Sequence, residues 1–205
     1  MKEMTIVYEV KDGLYVNMTN RCPCACSFCI RTHGDGAYGS DSLWLEREPT
    51  RQEIYDAIEA RDVSRFKELV FCGYGEPTER LDDLIEISRK LKASYPGVRI
   101  RVNTNGLANL IAGESVSSLF CGCVDELSIS LNASNAEDYY RICKPSFGIG
   151  SYDAMLQFAK ESSKYVPNVV LTVVGTPDMT QERVASCRAV CDKLGLKFRV
   201  REYFP

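Results

Sequence analysis

Long apolar runs are missing from this sequence, and so is any large excess of charge. No stretch approaches the roughly 20 apolar residues that a membrane-spanning helix needs. The opening MKEMTIVYEV has no long apolar core of a secretory signal, so a cytoplasmic protein is expected. A formal net charge of -3 leaves no footprint for nucleic acid or for an anionic membrane surface. No linker, low-complexity tract or internal repeat divides the 205 residues, and one domain spanning 1–205 is expected. Histidine occurs once, as His33, and no second C-x2-C pair accompanies Cys26 and Cys29. The loop GYGEPT at 73–78 has Thr78 where a G-x-G-x-x-G dinucleotide loop would need glycine.

Cysteine, by contrast, is abundant: ten residues, four of them within MTNRCPCACSFCIRT at 18–32. A reducing compartment and a chain long enough to build its own core both argue against a disulfide framework and for metal binding.

Strand and helix signals alternate along the chain. TIVYEV and LYVNMT read as two short strands around a Lys-Asp-Gly turn, the second leading into the cysteines. Thr50-Arg51-Gln52-Glu53 is a capping box that opens a helix through about Val63. LVFCG, VRIRVNTNG, ELSISLNAS, VVLTVVG and KFRVREY follow as strands. Between them lie helical stretches: LDDLIEISRKLKASY, ANLIAGESVSSLF, one opened by Ser134-x-x-Glu137, DAMLQFAKESSKY and TQERVASCRAVCDKLG. The alternation predicts a parallel sheet with right-handed crossovers, of about six strand-helix units.

Within the strands the two faces differ. Val98, Ile100 and Val102 oppose Arg99, Arg101 and Asn103; Leu127, Ile129 and Leu131 oppose Ser128, Ser130 and Asn132; Phe198 and Val200 oppose Arg199 and Arg201. Parallel strands covered on both faces read as continuous apolar runs, and these do not. An open sheet with one solvated face is one solution. A curved sheet around a polar, ligand-filled cavity fits better, since buried Arg and Asn require partners.

Active sites in both barrels and open α/β sheets lie at the carboxyl ends of the strands. Four polar features fall there: the cysteine cluster, GYGEPT, Asn103-Thr104-Asn105-Gly106, and Ser130 with Asn132. Cys22, Cys26 and Cys29 stand as C-x3-C-x2-C with Phe28 before the last, a compact spacing for three thiolates on one iron-sulfur cluster. A zinc site from Cys26, Cys29, one of Cys22 or Cys24, and His33 is the alternative, but structural zinc usually joins two separate C-x2-C pairs. Iron-sulfur is preferred.

C-x3-C-x-aromatic-C after the first strand of the repeat, G-x-G-E-P after the next and the polar end of ELSISLN together resemble the radical S-adenosylmethionine (radical SAM) superfamily. More narrowly, NMTNRCP, FCIRT, LWLEREPT, GYGEPTER, YRICKPSFG and FRVREYFP are similar to small radical SAM proteins associated with TatD-type hydrolases. The resemblance implies a (β/α)6 partial TIM barrel with a short N-terminal β-hairpin, polar inside, and a cluster loop at about 18–49. It implies that Cys22, Cys26 and Cys29 ligate a 4Fe-4S cluster whose open iron takes S-adenosyl-L-methionine. Gly73, Gly75 and Glu76 would receive the cofactor's amino group; Ser130 and Asn132 would meet carboxylate or ribose. Phe28, Asn103 and Asn105 complete the expected cofactor set, with Val173 and Val174 flanking adenine.

The implied reaction is reductive cleavage of the sulfonium to a 5'-deoxyadenosyl radical, which abstracts hydrogen from substrate, with a flavodoxin or ferredoxin as reductant. A glycyl-radical-enzyme activating enzyme and a zinc-stabilised interaction domain are the alternatives. Cys24 has no role in the motif. Cys143 or Lys144, in RICKPSFG, is expected to touch substrate. Residues 31–48, with the single tryptophan Trp44, are expected to cover the cluster. Arg31, Arg80, Arg141 and Arg201 are candidates for holding an anionic substrate.

Overall fold

A computed structural model describes residues 4–203. Strands β1 (Val7–Val10) and β2 (Gly13–Val16) form the expected antiparallel hairpin, and β3 (Glu68–Phe71), β4 (Ile100–Thr104), β5 (Glu126–Ser130), β6 (Asn168–Val174) and β7 (Lys197–Arg201) follow in parallel. The strand order is β1-β2-β3-β4-β5-β6-β7, so every parallel neighbour is next in sequence. No ladder joins β1 to β7, which leaves a mixed α/β sheet that is curved but unclosed. Across that seam the side chains of Lys11 and Glu202 meet at 3.7 Å, and the rings of His33 and Tyr203 lie 6.5 Å apart.

The helices are α1 (Arg51–Glu59), α2 (Leu81–Ser94), α3 (Ala108–Ala112), α4 (Ala136–Cys143), α5 (Ser151–Ser162) and α6 (Gln181–Leu194). They cover the apolar face of the sheet: Leu14, Val16, Leu69, Phe71, Ile100, Val102, Leu127, Ile129 and Leu171 pack with Ile54, Ile58, Leu84, Ile87, Met155 and Phe158 in one core. Cys187 and Cys191, four apart on α6, are buried there as small apolar side chains.

Local signals set most boundaries. The capping box of Thr50 and Glu53 forms, each side chain bonding the other's backbone N–H, at 3.2 and 2.8 Å. Three expectations shift. The first helix stops at Glu59, because Asp62 caps a separate turn at Val63–Arg65. ANLIAGESVSSLF is broken at Gly113, whose φ of 75° closes α3 as a left-handed C-cap. The helix after β5 is capped by Asn135, whose side chain accepts from Asp138 N at 2.8 Å, one residue later than Ser134 would place it.

The polar face of the sheet is filled differently at its two ends. Towards the amino ends of the strands Arg101 donates to Glu68 at 2.7 Å and to Tyr15 at 3.2 Å. Arg99 and Arg199 both reach Glu126, at 2.6 and 3.0 Å. This layer needs no ligand: the glutamates that begin β3 and β5 supply the counter-charge. It lines a cavity of about 490 Å³ on the side of the sheet away from the cysteines.

Candidate cofactor site at the carboxyl ends of the strands

Leaving β2, the chain enters the cysteine loop, which is tied down on two sides. Its backbone pairs with the end of α4: Ala25 N donates to Cys143 O at 3.1 Å, Ser27 N to Ile142 O at 3.0 Å, and Ser146 N to Pro23 O at 2.8 Å. Its other side joins the loop after β3, where Glu76 N donates to Arg21 O at 2.8 Å. Cys22, Cys26 and Cys29 are half-buried. Hydrogen bonds from Cys143 and then Cys24 hold the Cys26 thiol down at about 4. The hydrogen bond to Cys24 lowers Cys22, and burial raises Cys29. Thiols biased towards thiolate are the donor chemistry that iron-sulfur ligation needs. Among the described residues no three of His, Cys, Asp and Glu close on one point as ligands of a single metal ion.

Cys24 is buried between ligand positions. It forms a β-bridge with Pro145, accepts at its carbonyl from Arg31 at 3.0 Å, and lies 3.8 Å from the Asn105 side-chain amide. Its place is within the loop's packing. Cys143 is 1% exposed and stands behind Cys26, with Asn132 Nδ2 donating to its sulfur at 3.6 Å. The structure places Cys143 against the cysteine loop, because α4 ends against that loop. Lys144, by contrast, is exposed in a left-handed C-cap.

In GYGEPT the glycines are required by the protein itself. A Cβ on Gly75 would lie 2.2 Å from Thr19 O and 2.6 Å from Arg21 O, and one on Gly73 would lie 2.0 Å from Asn17 Oδ1. The exit of β2 and the base of the cysteine loop pack directly against both glycines. Glu76 is 4% exposed, and its carboxylate accepts from Thr78 N and Oγ1 (3.1 and 2.8 Å), Thr104 Oγ1 (2.7 Å) and Asn105 N (2.7 Å). The side chain is thus a strut between the ends of β3 and β4. What it leaves facing the site is backbone. Thr78 and Thr104 stood out in sequence only as members of their loops; nothing local marks them as donors to Glu76.

Asn103, Ser130 and Asn132 all sit on the polar face. Arg201 donates to Ser130 Oγ at 3.1 Å. Asn132 adopts φ of 56°, which turns the chain after β5. The amide oxygens of Asn17, Asn103 and Asn132 are buried without hydrogen-bond partners, an arrangement that costs about 1–3 kcal/mol for each such group and suits a ligand bearing N–H and O–H donors. Asn105 is committed, its Oδ1 accepting from Leu107 N at 2.8 Å. Phe28 packs partly buried against the core. Val173 is not on this face: it pairs in register with Val200 and is buried towards the helices, and Thr172 stands on the polar side instead.

Residues 31–48 lie over the polar side of the hairpin, where Ala37 and Leu43 form a second small core with Tyr8, Val10 and Tyr74. Trp44 remains 42% exposed, edge-on to Tyr74 at 5.1 Å, and is not part of the main core.

Comparison with known proteins matches residues 16–189 to a family model described as Radical SAM superfamily. A GTP 3',8-cyclase of Corynebacterium glutamicum is 26% identical over 211 residues, covering 96% of this chain and 50% of that protein. The chain therefore spans about half the length of the curated relatives it matches. Among solved structures, Streptococcus suis SuiB bound to its precursor peptide SuiA superimposes with a TM-score of 0.69 at 13% identity, over 97% of this chain and 40% of that one. A radical SAM methyltransferase from Sphaerobacter thermophilus gives 0.63 at 19%, over 96% and 57%. At these identities the likeness is one of fold.

Proposed function

The chain belongs to the Radical SAM superfamily, a family of enzymes, and on that premise we propose that Cys22, Cys26 and Cys29 hold a 4Fe-4S cluster here and that the protein acts on a substrate by hydrogen abstraction. The family works with such a cluster and S-adenosylmethionine, which together supply reductive cleavage of the sulfonium to a 5'-deoxyadenosyl radical.

One observation carries the reading: the cysteine loop and the GYGEPT loop are built as a single unit at the ends of adjacent parallel strands. Gly75 is seated on the Thr19 and Arg21 carbonyls, and Glu76 N is bonded to Arg21 O. The trio would ligate three irons. The backbone of 73–76, fixed by the Glu76 strut, would hold the cofactor's amino end beside the fourth. The unpaired amide oxygens of Asn103 and Asn132 would accept from its amino and hydroxyl groups. Arg31 puts a positive charge by the thiols of Cys22, Cys26 and Cys29, where it favours thiolate and offsets the charge of the ligand set.

No helix among the described residues is long and apolar enough to cross a membrane. A reducing cytoplasm, with a flavodoxin or ferredoxin as electron donor, would suit the cysteine-rich loop. A functional association with a TatD-type hydrolase completes the proposed partners.

The test is anaerobic purification and reconstitution. Roughly four irons and four sulfides per chain, with an electron paramagnetic resonance signal of the reduced protein that changes on adding S-adenosylmethionine, would support the reading. A colourless protein that retains zinc would overturn it.

A further inference from the structure

Four arginines face the polar side of the sheet or its seam, and three of them are neutralised: Arg101 by Glu68, and Arg99 and Arg199 by Glu126. Arg201, near the rim on β7, is not. Its guanidinium donates to Ser130 Oγ at 3.1 Å, its Nε is buried without an acceptor, and no carboxylate among the described residues pairs with it. The other arginines considered near the rim are occupied. Arg80 is bonded to Asp83 and to the Met18 and Pro49 carbonyls, Arg141 pairs with Asp138 on the exposed side of α4, and Arg31 serves the cysteine loop.

An unneutralised buried cation is unfavourable, and Arg199 and Arg101 below it add like charge. Burial accordingly holds the Arg201 guanidinium below arginine's ordinary range. The Cys72 thiol and then the Tyr38 hydroxyl act on it electrostatically; neither is a carboxylate, and burial pushes the Tyr38 hydroxyl up to about 12. The position matters equally. β7 is last in the strand order and borders the unclosed seam, and Arg201 at its end is within electrostatic reach of Cys72, just past β3. Among the described residues Lys11 meets Glu202 and His33 meets Tyr203 across that seam, and Tyr38 acts on Arg201 electrostatically.

We propose that Arg201 is a specificity-determining residue that binds a carboxylate or phosphate group of the substrate, with Ser130 orienting the guanidinium, so that an anionic molecule entering at the β1–β7 seam is held over the polar face. This deepens the radical SAM reading by naming a substrate class. Arginine suits the task, since its planar fork takes an oxyanion by two hydrogen bonds, and Nε–H with one Nη–H forms one edge of that fork.

The test compares wild type with Arg201→Gln, both reconstituted and loaded with S-adenosylmethionine, by calorimetric titration with inorganic phosphate, pyrophosphate and succinate. Wild type is expected to bind at least one of these anions. The variant is expected to bind it at least about tenfold more weakly, with affinity for S-adenosylmethionine unchanged within about twofold. Because removing an unneutralised buried charge relieves the fold, the variant should also melt no lower than wild type. Equal anion titrations in the two proteins, including no binding in either, would overturn the proposal. So would a tenfold loss of S-adenosylmethionine affinity with anion binding intact, which would assign the arginine to the cofactor's carboxylate. A melting point lower by more than about 5 °C would mark a structural strut and also contradict it. If the protein takes up no cluster or cofactor, the radical reading falls, and the same anion titration of the cluster-free protein still decides the role of Arg201.

Discussion

Thr104 Oγ1 donates to Glu76 Oε1 at 2.7 Å, fastening the end of β4 to the loop after β3. Three further donors converge on the same carboxylate, from Thr78 and Asn105. In Glu76→Gln one of the two terminal atoms becomes an N–H donor facing another donor. The variant is expected to lose about 1–3 kcal/mol in urea unfolding; unchanged stability would show that the strut carries nothing.

Glu76 also sets a pH dependence. Burial holds its carboxyl above the ordinary value of 4.5, against the pull of its four donors. A carboxyl raised in the folded state binds its proton more tightly folded than unfolded, so its contribution is full below 4.5 and declines as pH rises through the folded value. The stability of wild type relative to Glu76→Gln should therefore fall as pH is raised from about 4. A difference that grows with pH would mean that the hydrogen bonds outweigh burial.

Gly75→Ala should be more damaging than Gly73→Ala. At Gly75 the new methyl meets two backbone carbonyls, Thr19 O and Arg21 O, which belong to the base of the cysteine loop. At Gly73 its nearest contact is the Asn17 side chain, although Asn17 Cα at 2.9 Å makes that site tight as well. A cost of about 1–3 kcal/mol is expected at position 75, together with reduced iron uptake on reconstitution. Equal iron uptake in Gly75→Ala and wild type would separate this loop from the cysteine loop.

Arg80 is a structural counterpart to Arg201. Its side chain is 9% exposed and bonds Asp83 at 2.9 Å, Met18 O at 3.0 Å and Pro49 O at 2.5 Å. Arg80→Gln leaves those carbonyls without their donor and Asp83 paired with Arg51 alone, and should destabilise the protein by about 2–3 kcal/mol in chemical denaturation. Stability equal to wild type would contradict that role.

Cys143→Ala is expected to keep its iron and to lose about 1–2 kcal/mol through the small cavity left beside Cys26. Loss of iron on reconstitution would instead make Cys143 a ligand.

Much of this was legible in the sequence. The seven strands and their order follow from alternation and turn chemistry, because sequential parallel crossovers leave few other arrangements. The division of each strand into two faces was equally plain at Arg99, Arg101, Ser128 and Arg199. What fills the polar face was not. Glu68 and Glu126 begin their strands, and nothing local marks them as partners of arginines one or two strands away, 27 to 73 residues off in sequence, so the lower layer read as needing a ligand. GYGEPT was recognisable as a special loop, but what its glycines pack against was not: they make room for the protein's own backbone, a long-range contact that no window of sequence contains. The burial of Cys143 was hidden in the same way: its place near the rim followed from topology, but the turn of α4 into the cysteine loop depends on pairing between residues more than 100 apart. Val173 was misplaced by one residue of strand register, which is enough to exchange the two faces.

The central assignment is that three of the four clustered cysteines serve chemistry and the fourth serves packing. It is tested most directly by measuring 5'-deoxyadenosine formed from S-adenosylmethionine by the reconstituted, reduced protein and by its Cys22→Ala and Cys24→Ala variants. Product from wild type and Cys24→Ala, with none from Cys22→Ala, is the expected result. No product from wild type with its cluster intact, or equal product from Cys22→Ala, would contradict it.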